Sequence, residues 1–260
     1  MSATNLQNFS GDVQIRGTTF IKANTNTNNV AIGTVSGETA QGVNTVAVGV
    51  GAGRTSQGTS AVSVGDNAGL TVQGNYTVAV GRVAGQTSQG TSAVAVGTAA
   101  GQTSQGARAT AVGYVSGYSE QGIHAVAVGT SSGMTSQGTY ATAMGNQAGN
   151  VKQGASATAV GAYAGQTSQG ARATAVGYVS GYSEQGIHAI AVGTSSGHTS
   201  QGTYATAMGN LAGASEQGAG AVAAGNGAGQ TSQGTHAIAV GQAAGYSEQG
   251  ASAVAVGYQA

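Results

Sequence analysis

Residues 89–104 read QGTSAVAVGTAAGQTS, and residue 105 opens the same Gln-Gly pair again. Gln returns every sixteen residues from Gln41 to Gln249, fourteen times in all. With that Gln as position one, Gly fills position two from Gly42 to Gly250, position nine from Gly49 to Gly257 and position thirteen from Gly53 to Gly245. These three columns take 41 of the 48 glycines, so the chain has sharp turns or close backbone approaches at fixed places in every unit.

Between the glycines, positions five to eight read AVAV at Ala93–Val96, ATAV at Ala109–Val112 and AIAV at Ala189–Val192. Position six is Val, Ile or Thr, and position eight is Val or Met except at Ala224. Alternation of β-branched residues with Ala is a period-two strand signal. A helix is excluded, because each of three glycines per unit would cost a helix interior about 1 kcal/mol relative to Ala. The repeat therefore predicts an all-β chain, a parallel β-roll or β-solenoid of sixteen-residue coils stacked like those of other repeat proteins. At an inter-strand spacing of ~4.8 Å, about fourteen coils make a rod roughly 65 to 70 Å long. Stacking also gives the repeated Gln a use, since identical amides one coil apart hydrogen-bond as a ladder. Thr or Ser at position fifteen, replaced only by Val151, is expected to form a hydroxyl ladder in the same way.

Composition removes several function classes. Leu6, Leu70 and Leu211 are the only leucines, Phe occurs twice, and Pro, Cys and Trp are absent, so the core is thin and repetitive and is expected to be shared between chains. Seven basic and seven acidic residues give zero formal charge with no basic run, which argues against nucleic acid as a partner. No apolar stretch approaches the ~20 residues of a membrane span, and the first residues, MSATNLQNFSGDVQIRG, lack a signal-peptide core, so membrane insertion and export by such a signal are not expected.

The stretches TSAVAVG, HAIAVG, NTVAVG and NNVAIG resemble the repeated S-V-A-I-G motif in the YadA-like heads of trimeric autotransporter adhesins, a likeness running from about Asn29 to Ala260. Related repeats occur in fibres of phages and large viruses. The resemblance implies a left-handed β-roll, a homotrimer, and apolar motif residues filling the roll: Val94 and Val96 inward, Ala93 and Ala95 toward a neighbouring subunit. The unit here is longer than is typical of adhesin heads and carries the added QG element. With no signal, stalk or anchor pattern in the chain, the resemblance points to a structural fibre or adhesin on a virion surface that engages a host receptor. A bacterial surface adhesin head is the first alternative and an ice-binding β-solenoid the second. Ice binding calls for two in-phase Thr per coil, whereas position thirteen is Gly and position fifteen alone holds a regular Thr or Ser.

Residues 1–28 depart from the repeat. GDVQIRG and TFIKAN read as two short strands, with Val13, Ile15, Phe20 and Ile21 packing a cap over the end of the stack, and this segment is the expected attachment point for other virion proteins. Gly101–Asn150 recurs as Gly165–Ala214, differing only at Val126/Ile190, Met134/His198, Gln147/Leu211 and Asn150/Ala214, so a block of four coils was copied.

Variation concentrates at positions four, ten, fourteen and sixteen, where a rigid scaffold can present recognition residues. Position four runs Ser92, Arg108, His124, Tyr140 and then Ser156, Arg172, His188, Tyr204. Tyr118, Tyr182 and Tyr246 each precede a glutamate, Glu120, Glu184 and Glu248, by two residues. Aromatic face and carboxylate could grip a cell-surface glycan together; alternatively these residues are ordinary solvated surface. The candidate ligand-facing residues are thus Tyr118, Glu120, His124, Tyr140, Tyr182, Glu184, His188, Tyr204, Tyr246 and Glu248. No catalytic, cofactor or metal site is expected. Asp12 and Asp66 are the only aspartates, no Ser lies in a supported G-x-S-x-G, and Glu120/His124 and Glu184/His188 lack a third ligand.

Overall fold

The computed structural model describes residues 13–15, 18–24 and 28–260. The chain is a β-solenoid with no helix among the described residues. Each regular coil contributes two three-residue strands. Positions six to eight form one of them, as in Val94–Val96, and positions fifteen, sixteen and one form the other, as in Thr103–Gln105. Every strand pairs in parallel with its equivalent sixteen residues on: Val94, Ala95 and Val96 face Thr110, Ala111 and Val112, while Gln105 faces Gln121. The first kind of strand, together with two N-terminal strands, builds a 17-stranded sheet and the second kind a 12-stranded one. Like side chains consequently meet along a common axis, as the repeat predicts.

The N-terminal end is built from antiparallel pairs. Strand β1 (Val13–Ile15) pairs with β2 (Thr18–Asn24), and β2 pairs with β3 (Asn29–Ile32), which starts the parallel stack on Val46–Val48. The two short strands read from the sequence are therefore present. The cap packing expected of Val13, Ile15, Phe20 and Ile21 rests on side chains that are not described, and of the expected attachment segment 1–28 residues 1–12 lie outside the described residues.

The interior reverses the orientation implied by the family resemblance. Ala93 and Ala95 are fully buried, whereas Val94 and Val96 are half-exposed on the outside of the coil. The cause is steric. With three-residue strands joined by two short turns, the two sheets lie so close that methyl groups fill the space between them. Ala79, Ala95 and Ala111 at position seven pack against Ala68, Ala84 and Ala100 at position twelve, in the turn that follows the strand. A Val side chain does not fit that slot, so the branched residues take the other face of the strand.

The remaining space is filled by Gln. Gln105 is buried, and its Nε2 donates to Val94 O at 2.8 Å and to Gln121 Oε1 at 3.1 Å, while its own Oε1 accepts from Gln89 Nε2 at 3.0 Å. The contact repeats with little change in length from Gln73 to Gln249. The ladder expected from the sequence is thus an internal spine rather than a surface row, and each amide is satisfied where water cannot reach it. The hydroxyl ladder is not formed: Thr103 Oγ1 donates to the carbonyl of Tyr118 on the next coil at 3.2 Å, and Thr87 does the same to Gln102 at 3.1 Å.

Two glycine columns show why no other residue serves. At position nine, Gly145 has φ +128°, and a Cβ there would lie 2.6 Å from the carbonyl oxygen of Gly161 one coil away. At position two, Gly138 has no unusual φ, yet a Cβ would lie 2.6 Å from the Gly154 carbonyl carbon. Position nine is glycine for both conformation and space; position two is glycine for space alone.

Three non-glycine positions per coil also take positive φ: Arg108 at 57°, Val115 at 55° and Glu120 at 55° are typical of positions four, eleven and sixteen. This turns the amide along the rod axis, where Arg108 N bonds Thr91 O at 2.8 Å and Val115 N bonds Thr98 O at 2.9 Å on the preceding coil. For β-branched Val115 the conformation is a steric outlier, costing about 1–2 kcal/mol. Two substitutions should therefore move thermal stability in opposite directions, read by circular dichroism melts. Gln137→Leu strips a donor from Val126 O and from Gln153 Oε1 inside the rod and should cost about 2–4 kcal/mol. Val115→Asn keeps the amide bond, places a residue tolerant of this φ in the row where Asn67 already stands, and should raise the melting temperature.

Candidate functional site

The interior changes from coil to coil only by small exchanges, Ser for Ala at Ser63, Ser116, Ser132, Ser180 and Ser196 and Thr for Ala at Thr45 and Thr77, so the larger differences in chemistry sit outside, on one broad face and several rows. The broad face is the outer surface of the Val94–Val96 sheet. Positions six and eight project from it in two parallel rows, and neither position carries a charge in any coil. Met144, Ile190, Val192, Met208, Ile238 and Val240 are among its exposed members. At ~4.8 Å per strand and three residues of width, the face covers roughly 600–700 Å², at or above the largest apolar patch usual on a monomer. Thr110, Thr142, Thr158, Thr174 and Thr206 lie in its position-six row, and their hydroxyls have no hydrogen-bond partner among the described residues.

The candidate ligand-facing residues fall in three separate rows. Tyr118, Tyr182 and Tyr246 occupy position fourteen, Glu120, Glu184 and Glu248 position sixteen, and His124, Tyr140, His188 and Tyr204 position four. Partners are chosen along the axis rather than within a coil. Glu120 Oε2 accepts from the Ser136 hydroxyl at 2.7 Å and Glu184 Oε2 from Ser200 at 3.1 Å, each a row neighbour sixteen residues on. Tyr182 stacks on His198 with centroids 5.0 Å apart and planes within 6°. Tyr246 and Glu248 are exposed near the last coil. The structure thus brings Tyr to His and Glu to Ser, and forms no Tyr–Glu hydrogen bond among the described residues.

Position four is the most organised row. His124 stacks on Tyr140 at 4.9 Å and 7°, and His188 on Tyr204 at 5.0 Å and 6°. Arg108 Nη1 approaches His124 Nε2 at 3.4 Å, extending the first column by a coil. Centroid separations near the coil spacing follow from the shared positive φ, which aims every Cβ of the row the same way. Arg108 and Arg172 belong to these columns, although only the rings of the row were candidates from sequence. Their signal was present in the sixteen-residue phase, which places Arg immediately before His in the same row. Among the described residues no three His, Asp or Glu side chains converge as a metal site would require.

Two of the four differences between the duplicated blocks alter this surface. His198 replaces Met134 and creates a position-fourteen stack with Tyr182, which Tyr118 does not have. Leu211 replaces Gln147, which accepts from Gln166 Nε2 at 2.6 Å in the first block. Comparison of the chain with models of known protein families and with curated proteins finds no match. A double-mutant cycle on His188→Ala and Tyr204→Ala should give a coupling of about 0.5–1 kcal/mol in unfolding free energy, and a coupling near zero would show that the rings stack without attraction.

Proposed function

We propose that the chain is the rod of a structural fibre or adhesin: an elongated homotrimeric β-solenoid, displayed on a virion surface and engaging a host receptor through its outer rows. The observation that carries this reading is the uncharged Val, Ile, Thr and Met face, which runs the length of the stack and stays half-exposed in a single chain. A rod with one apolar face lowers its free energy by covering it, and the chain has its own identical face to offer. About one axis the face is divided between two neighbours, and in all each chain would bury roughly 600–700 Å², near the ~800 Å² per partner of a stable interface. The resemblance of the strand motif to trimeric adhesin heads supports three chains about one axis. Display on a virion is tested by immunogold labelling of particles; labelling of a bacterial envelope instead would replace it with the surface-adhesin reading.

Light scattering on the purified chain should return three times the 24.7 kDa chain mass. Val128→Lys combined with Val176→Lys should release single chains that keep their β spectrum, because both side chains point away from the core. A wild-type monomer would overturn the trimer. One observation favours a second reading, ice binding: the unpartnered Thr hydroxyls stand in line with one another along position six of the outer sheet. This demands an uncovered face, so it requires both a monomer and thermal hysteresis.

A further inference from the structure

The position-four row has gaps. Arg108, His124 and Tyr140 form a continuous column, Ser156 interrupts it, and Arg172 resumes it. His124 covers one face of the Tyr140 ring, so the opposite face looks along the rod toward Ser156. Tyr140 and Arg172 stand two coils apart, ~10 Å at the sheet spacing, with only a short hydroxymethyl group between them. The walls and floor are rigid. Tyr140, Ser156 and Arg172 have φ of 59°, 58° and 58°, and their amides are held by Ile123, Thr139 and Ala155 of the preceding coils at 2.9 Å each.

This notch is open and its cation is free. Tyr140 is 61% exposed, and Ser156 and Arg172 are exposed. The Arg172 guanidinium has no hydrogen-bond or ion-pair partner among the described residues, whereas Arg54 pairs with Glu38. The same order, Tyr76, Ser92 and Arg108, stands 64 residues earlier, but it is less prepared. Ser60 rather than a ring lies behind Tyr76, and Arg108 leans the other way, onto His124. The gap above Tyr204 is closed: Gly220 forms its floor, and His236 lies over it, with Nδ1 2.7 Å from where a Cβ would be. Among the described residues, only the Tyr140 notch combines a backed aromatic face with an unpaired guanidinium.

An exposed aromatic face takes the C–H face of a pyranose, and a guanidinium takes carboxylate or sulfate through paired N–H donors. We propose that the Tyr140 notch binds an acidic pyranose, its ring on Tyr140 and its carboxylate or sulfate on Arg172, with the Tyr76 notch a weaker second copy. The assignment names the ligand class of the receptor-engaging surface proposed above, and rests on that reading only in requiring the position-four row to face outward in the assembly.

The test is calorimetric titration of the full chain with sialyllactose, sulfated lactose and plain lactose. Binding of either acidic sugar, at least about tenfold tighter than lactose, is expected, and the two acidic arms identify the anion. Arg172→Gln should weaken the tighter site about tenfold by removing charge-assisted hydrogen bonds. Ser156→Tyr should abolish that site by filling the notch with a residue the row already accepts at Tyr140 and Tyr204, leaving the circular dichroism unchanged. Arg82→Gln should leave the tighter site as it is in the wild type, since Arg82 is an exposed cation at position ten, outside the position-four row. Equal losses at the tighter site from Arg82→Gln and Arg172→Gln, wild-type affinity in Ser156→Tyr, or no preference for the acidic sugars would each overturn the proposal. A monomer that binds in the expected pattern keeps the notch and removes the trimeric fibre; a trimer indifferent to all three sugars does the reverse.

Discussion

The structure depends on how little room separates its two sheets. Each coil closes around small side chains and one amide; from Gln73 to Gln249 each amide bonds the next directly, and between Gln57 and Gln73 the Ser63 hydroxyl carries the bond. A buried Gln with an unmet donor or acceptor would be costly, so the spine holds only while every coil supplies Gln in the same phase. Any shift of register would break the amide chain and drive a side chain into a glycine column. This coupling explains why sixteen residues per turn is kept without insertion from Gln41 to Gln249.

A fixed interior forces diversity outward. Hydrogen bonding along the axis leaves the coil's own side chains at positions four, fourteen and sixteen free to vary, but only in columns, because neighbours above and below share one orientation. The surface is therefore written in vertical pairs: ring on ring at His124 and Tyr140, hydroxyl on carboxylate at Ser136 and Glu120. Copying four coils multiplies such columns without disturbing the spine, and single changes such as Met134 to His198 then give the copies different surfaces. The apolar face obeys the same rule, and its extent comes from repetition alone.

Much of this is legible in the residues themselves. The glycine phase and the alternating Ala and Val establish parallel stacking, and the recurrence of Gln establishes an amide ladder. Variability within a constant frame correctly puts the candidate residues on the outside, but reading along the chain pairs Tyr118 with Glu120 inside one coil. Glu120 meets Ser136 instead, and in the second block Tyr182 meets His198, each partner sixteen residues away, so closeness in sequence is the wrong guide, and it also passes over Arg108 and Arg172 as members of the columns. Thr103 was expected to bond the Ser119 hydroxyl on the next coil. The nearer acceptor is the Tyr118 carbonyl, which the Thr103 amide already bonds, and no residue type in the sequence marks a backbone acceptor.

The sequence by itself determined the repeat, the parallel register and the identity of every row, since these follow from a period that any stacked chain must respect. Which side of the strand faces inward was decided only by the tertiary structure. Alternation tells that Val and Ala lie on opposite faces, and hydrophobicity favours Val inside, but the distance between two sheets is a property of the closed coil. At that distance methyl groups fit and isopropyl groups do not, which sends Val94 and Val96 outward and leaves the rod with a face to be covered.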